Sequence, residues 1–173
     1  GTETYFFLDG STGYTQFPDD RKIAVGSGDD LQIYHDGTNS YINNYTGKLF
    51  INNQVNDSDI VFRCDDGSGG MTDYLTLDGS QGFTTVQKAM RFEDSVQIQL
   101  GNSNDALLQH NGSHTYFTNG TGDLYIQQTA DDRDMIFQCD DGSGGNGTYF
   151  FLDGSRASGG SDFQTIFPDS SWL

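Results

Sequence analysis

The sequence predicts an all-β fold of tandem β-hairpin repeats, arranged as a β-sandwich or a stacked β-repeat. Three observations predict it: a long internal repeat, short segments in which apolar and polar residues alternate, and Asp-Gly or Asn-Gly pairs between those segments. No segment has a helical period. Because Leu, Ile, Val and Phe are sparse, we expect an elongated, oligomeric fold in which neighbouring chains complete a shared core.

The internal repeat is read directly from the sequence. Residues 30–80 align without a gap to residues 105–155, with 24 identities over 51 positions. We call the offset from residue 30 to residue 105 one repeat period. The heptapeptide at residues 4–10 is identical to that at residues 148–154, so the chain begins and ends at nearly the same phase of the repeat. The predicted parts are the C-terminal portion of a repeat unit (1–29), a complete unit (30–104) and a second unit with a divergent C-terminal end (105–173).

The alternating segments predict short strands. The predicted strands are 5–8, 22–25, 31–35, 40–43, 48–52, 59–64, 74–77, 96–100, 106–110, 115–118, 123–127, 134–139, 149–152 and 163–166. Type I′ hairpin turns are predicted at the Asp-Gly and Asn-Gly pairs, because such turns need positive φ at both central residues. The turns are assigned to seven of these pairs, which begin at Asp36, Asp66, Asp78, Asn111, Asn119, Asp141 and Asp153. The spacing between repeats changes at residues 81–90 and 156–162, which predicts surface loops there.

The composition indicates which partners to expect. The net charge is −17, and 23 of the 25 acidic residues are Asp, a residue that favours turns. Nucleic-acid binding is not expected, since it needs basic patches. Membrane insertion is not expected either, because no run of 18 apolar residues exists. The chain opens at Gly1 without Met, as a mature product or an excised fragment would.

The candidate metal sites each have a plainer interpretation. His35 and His110 share a repeat position and could form a metal-binding ring around a threefold axis, or each could bond across its own turn. The acidic loops with the sequence DDGSGG hold the calcium candidates, but they lack the EF-hand pattern and also suit glycine-rich hairpins with solvated carboxylates. Those candidates are Asp65, Asp66, Asp140 and Asp141. No cofactor is predicted, with Ca²⁺ as the alternative.

Other reactive side chains give no catalytic pattern. Cys64 and Cys139 share a repeat position and are predicted to be buried free thiols, with a bridge between stacked repeats as the alternative. No nucleophile, base or paired-carboxylate arrangement stands out, so the chain is predicted not to be an enzyme. Several tyrosines could stack on sugar rings or pack across strands, namely Tyr34, Tyr41, Tyr45 and Tyr116.

Four parts of the repeat carry a resemblance to a known family. They are DLQIYHDGTNSYI at residues 30–42, TGKL at residues 46–49, DIVFRCDDGSGG at residues 59–70 and YLTLDGS at residues 74–80. All four resemble repeats in tail-fibre and structural proteins of marine bacteriophages, including cyanophages. The resemblance covers nearly the whole chain up to Ser155. It implies an elongated, often trimeric β-shaft in a virion or extracellular setting, and it carries no catalytic residues.

The function expected from these observations is a non-catalytic structural module that spaces or presents a host-receptor-binding tip. The expected partner is the chain itself, as a homotrimer. One alternative is a subunit of a head-to-tail β-filament, since complementary ends generate open polymers. Another is a carbohydrate-binding or polysaccharide-depolymerising β-module that meets a cell-surface glycan.

Overall fold

The prediction of an all-β chain is confirmed. The computed structural model describes residues 3–156 and 163–168, and these contain fourteen strands and no helix. The strands are β1 (Phe7–Asp9), β2 (Tyr14–Gln16), β3 (Ile23–Val25), β4 (Leu31–His35), β5 (Ser40–Asn44), β6 (Ile60–Asp65), β7 (Met71–Asp78), β8 (Phe83–Val86), β9 (Gln97–Leu100), β10 (Ala106–His110), β11 (Thr115–Asn119), β12 (Met135–Asp140), β13 (Asn146–Asp153) and β14 (Gln164–Ile166). In this part of the chain, no helix is long and apolar enough to cross a membrane.

The strands form five small antiparallel sheets in which each strand pairs with its neighbour in sequence. Strands β1 and β2 form a hairpin, and the other sheets are three-stranded meanders in the orders β3-β4-β5, β6-β7-β8, β9-β10-β11 and β12-β13-β14. The chain divides into two compact units, Gly1–Met90 and Arg91–Leu173. The first unit holds the hairpin and two meanders, and the second holds the other two meanders.

Strand bounds recur after one repeat period. Strands β4 to β7 correspond in this way to strands β10 to β13, and each pair of equivalent strands has the same length. The irregularity in the ladder recurs too: the register shifts between Phe62 and Arg63 in one meander, and between Phe137 and Gln138 in the other. Equal strand lengths and equal register shifts follow from the repeated turn sequences that bound the strands.

The described residues form no apolar core. None of their hydrophobic side chains is buried, and the polar Thr76 is the single buried residue among them. Each sheet is a lone layer, whereas domains usually bury sheet faces against a second layer. The sheets are therefore held within the chain mainly by their ladders and turns.

Two predicted strands are wrong. Residues 48–52 and 123–127 lie outside any strand, although their sequences alternate as strands do. Their backbone groups have no hydrogen-bond partner among the described residues. A strand needs a neighbour, and no edge of the described chain pairs with either segment.

The predicted loop at residues 81–90 is also wrong in part, since Phe83–Val86 forms β8 against the edge of β7. The short strand β2 was not predicted, because its three residues show no resolvable alternation. The other predicted loop, at residues 156–162, lies outside the described residues except for Arg156.

The predicted type I′ turns are wrong. None of the Asp or Asn residues that begin the seven pairs with a predicted type I′ turn has positive φ. The turns instead span four or five residues, as between the paired residues His35 and Ser40 or Asp65 and Met71. The Asp side chain takes the place of a tight backbone turn by accepting hydrogen bonds from amides further along the loop.

Candidate functional site: repeated apolar sheet faces

Two meanders expose the same kind of apolar face. In the β3-β4-β5 sheet, cross-strand pairing brings Ile23, Ile33 and Ile42 into one row and Val25 and Leu31 into the next. Leu31 is half-buried and the other four side chains are exposed. Because alternate residues of a strand point to the same side, all five lie on one face of the sheet. We call this surface the β4 face.

The β9-β10-β11 sheet repeats this surface one period further along the chain. Ile98, Leu108 and Phe117 form one row, and Leu100 and Ala106 form the next. Only Ala106 of these five is half-buried. We call this surface the β10 face. Exposed apolar patches of this kind mark binding surfaces in soluble proteins. Period-two alternation predicted the strands, but it did not reveal that these faces would stay uncovered.

The two segments without ladder partners are strongly apolar as well. Residues 49–51 and 124–126 are Leu-Phe-Ile and Leu-Tyr-Ile, and all six side chains are exposed. These segments are separated by one repeat period, as the two faces are. Each compact unit therefore has its own candidate functional surfaces: the β4 face and residues 49–51 in the first unit, and the β10 face and residues 124–126 in the second.

The two histidines bond across their own turns, in agreement with the plainer interpretation. The Nδ1 atom of His35 lies 3.2 Å from the Ser40 hydroxyl oxygen, and that of His110 lies 3.0 Å from the Thr115 hydroxyl oxygen. Each pair spans the end of a hairpin. A ring of histidines around a threefold axis would need further chains and stays a prediction.

The calcium candidates are engaged by hydrogen-bond donors of their own loops. Asp66 Oδ1 accepts from the Ser68 amide and hydroxyl, both at 2.7 Å, and from the Gly70 amide at 3.1 Å. Asp141 makes the same three bonds in the next repeat. Asp65 and Asp140 each accept one amide bond, from Gly67 and Gly142. Among the described residues, no group of three or more His, Cys, Asp or Glu is placed to hold a metal ion.

Removal of divalent cations is expected to leave the melting temperature nearly unchanged, because loop amides already satisfy these carboxylates. The measurement is a melting curve with and without EDTA, using an EDTA-treated sample resupplied with Ca²⁺ as the control. A fall of many degrees that Ca²⁺ reverses would show that the loops depend on the ion.

Six Asp carboxylates have lowered pKa values because they accept hydrogen bonds within turns. In five of them the serine hydroxyl two residues further on has the largest effect, and turn amides add to it. Those five are Asp9, Asp66, Asp78, Asp141 and Asp153. In the sixth, Asp36, the largest effect on the pKa comes from the Asn39 amide, followed by the Tyr41 hydroxyl. At these six positions the Asp side chain therefore stabilises a turn.

Acid is expected to destabilise the fold through these turns. A carboxylate whose pKa is lower in the folded state stabilises that state above its unfolded pKa of 3.8, and the contribution is lost as the pH falls through the folded value. We expect the melting temperature to fall as the pH drops below about 4. Protonation also relieves the repulsion among the carboxylates of a chain with a net charge of −17, and this acts in the opposite direction. A melting temperature that rises through this window would contradict the expectation, because the relief of repulsion would then outweigh the loss of the turn hydrogen bonds.

Asp36→Asn is a matched variant for this test. Asn111 stands at the equivalent position, and its side-chain oxygen accepts from the amides of Ser113 and His114 as Asp36 does from those of Thr38 and Asn39. The variant should keep the turn and lose its share of the acid dependence. Asp36→Ala should lose stability at neutral pH as well.

The prediction for the two cysteines is correct in one respect and wrong in the other. Cys64 and Cys139 are free, but they are exposed, so their predicted burial is wrong. They lie on β6 and β12, at edges of sheets that no second layer covers.

Tyr34 and Tyr41 stack across their strands, with ring centroids 4.8 Å apart, as cross-strand packing predicts. The Nζ of Lys22 lies 4.7 Å from the Tyr34 ring centroid.

Comparison with family models, with curated proteins and with solved structures finds no significant match to this chain.

Proposed function

We propose that the chain is a non-catalytic structural module of a fibre, of the tail-fibre kind that its repeats resemble, and that it works as a homotrimer. The observation that carries the proposal is the absence of any buried apolar side chain among the described residues, combined with the recurrence of uncovered apolar surfaces in successive repeats. In such a module the neighbouring chains supply the second layer that each sheet lacks.

The exposed area supports this reasoning. The accessible surface of the chain is 14222 Å², whereas a compact monomer of 19.0 kDa exposes about 8,400 Å². Even two independent compact domains of half that mass would expose about 10,100 Å² in total. The excess is about 4,000 Å² per chain, which is in the range of obligate interfaces. A permanent assembly is the simplest way to remove such an area from water.

The unpaired segments fit the same assembly. Residues 48–52 and 123–127 have the alternation of strands and lack ladder partners within the described chain. A neighbouring copy presents the same segments, so the copies can complete each other's hydrogen bonds and bury the apolar side chains together. In this proposal the module acts outside the cell, as part of a virion, and spaces or presents a tip that binds the host.

Electron microscopy of the purified chain, combined with small-angle scattering, tests the proposal. We expect slender particles of uniform length with the mass of three chains. Long polymers whose length grows with concentration would replace the proposal by the head-to-tail filament. A monomer that binds or cleaves polysaccharide in a glycan-binding and hydrolysis assay would replace it by a carbohydrate-active module.

A further inference from the structure

The described residues contain three copies of one structural element, and one of these copies lacks a strand among them. Strands β7 and β13 are the central strands of their meanders: each pairs with β6 or β12 on one side and with β8 or β14 on the other. Strand β1 corresponds to them, since residues 4–10 are identical to residues 148–154, and it pairs with β2 as β13 pairs with β14. No described strand occupies its other edge.

The hairpin at β1 already has the geometry of the complete copy. Phe6 contacts Phe17 with a centroid distance of 5.8 Å and an interplanar angle of 33°, and Phe150 contacts Phe167 with the same two values. Phe150 also stacks on Phe137 of β12, with centroids 4.4 Å apart. Phe6 has no such partner among the described residues and is 56% exposed.

The open edge also presents unused backbone groups. Asp9 accepts a bond from the Gly13 amide on the β2 side. Since alternate residues of an antiparallel strand direct their backbone groups to opposite edges, Leu8 and Phe6 direct theirs to the open side. Leu8 is 76% exposed, against 42% for its equivalent Leu152.

The glycine that follows each strand gives a second, independent indication. A Cβ atom on Gly79 would overlap the backbone carbonyl of Ser58, and one on Gly154 would overlap that of Arg133. The same atom on Gly10 would meet nothing within 4 Å. In the two complete copies, the backbone segment that leads into β6 or β12 therefore lies directly against the glycine.

The amide of this glycine also differs between the complete copies and the incomplete one. The Gly79 amide donates to Asp59 Oδ1 and the Gly154 amide to Asp134 Oδ1, each at 3.0 Å. The Gly10 amide has no acceptor among the described residues. An aspartate at the start of the missing strand would supply that acceptor.

We infer that the open edge of β1 binds an antiparallel strand with the sequence pattern of residues 134–140, Asp-Met-Ile-Phe-Gln-Cys-Asp. The register of β12 on β13 places the Met135 position opposite Leu8, the Ile136 position opposite Phe7 and the Phe137 position opposite Phe6. The two strands of this pattern in the chain, β6 and β12, are already paired. The occupant is therefore a third strand of this pattern, one that residues 1–173 do not contain. This inference holds whether or not the module belongs to a tail fibre.

A peptide comprising residues 131–143 tests the inference when it is added in trans to the full chain under reducing conditions. We expect saturable binding by fluorescence anisotropy and at least a tenfold slowing of hydrogen exchange at the amides of Phe6, Leu8 and Gly10. A scrambled peptide of the same composition should not bind. The variant Gly10→Val should keep the circular dichroism spectrum and the melting temperature of the wild type while binding the peptide at least tenfold more weakly.

Three results would overturn the inference. Equal binding of the scrambled peptide would show a generally adhesive edge, and unchanged binding by Gly10→Val would show that the peptide does not lie against this glycine. Protection of the three amides before any peptide is added would show that β1 has a different occupant.

Discussion

Replacing Phe117 by Asp is expected to dissociate the assembly and abolish its cooperative melting. Phe117 lies on the β10 face beside Leu108 and is 55% exposed in the single chain. In the proposed trimer this face meets a neighbouring chain, where losing a buried Phe costs about 3–5 kcal/mol. A carboxylate at the same place would add a desolvation cost. In a chain that works alone the same substitution would change little, since an exposed side chain contributes little to stability.

Thr118→Asp is the matched control, because Thr118 is the next residue of β11, is also exposed and points to the opposite side of the sheet. It adds the same charge to the same strand. We expect it to keep the mass and melting temperature of the wild type. Analytical ultracentrifugation and thermal circular dichroism measure both properties. Equal behaviour of the two variants would contradict the assignment of the β10 face as an interface.

Gly154→Ala is expected to lower the free energy of unfolding by about 1–3 kcal/mol, because the new methyl group would overlap the Arg133 carbonyl and the backbone would have to move. Gly79→Ala should lower the free energy of unfolding in the same way, because its methyl group would overlap the Ser58 carbonyl. Gly10→Ala is the matched control: it makes the same change in an identical heptapeptide, at a place where nothing lies within 4 Å.

Denaturant unfolding of the three variants measures these free energies. The expected order of stability places Gly10→Ala beside the wild type and the other two well below it. A loss for Gly10→Ala as large as that for Gly154→Ala would show that the edge of β1 is already covered in the isolated protein.

The sequence was sufficient to predict most of the strands that find partners among the described residues, with β2 and β8 as the exceptions. The bounds of β4 and β10 were predicted to the residue, since alternation and turn residues agree there. Residues 48–52 and 123–127 show the same alternation and form no strand. Alternation reports which side chains a strand would bury, and it carries no information on whether a neighbouring strand exists to pair with.

The candidate surface was harder to predict than the strands. The repeat located equivalent residues, such as Ile42 and Phe117, but burial depends on a second layer that lies outside a single chain. The turns were mispredicted because the dipeptide Asp-Gly suits both a type I′ turn and a longer loop bonded by the Asp side chain. The heptapeptides that end at Gly10 and Gly154 are identical, so the contrast between the two glycines arises from the neighbouring strand and not from the heptapeptide itself.

The most direct test of the central claim is the mass of the native wild-type chain in solution, measured by sedimentation equilibrium alongside its thermal unfolding. We expect a particle with three times the chain mass of 19.0 kDa, and a melting temperature that rises with protein concentration. A particle of 19.0 kDa that unfolds cooperatively at a concentration-independent temperature would contradict it.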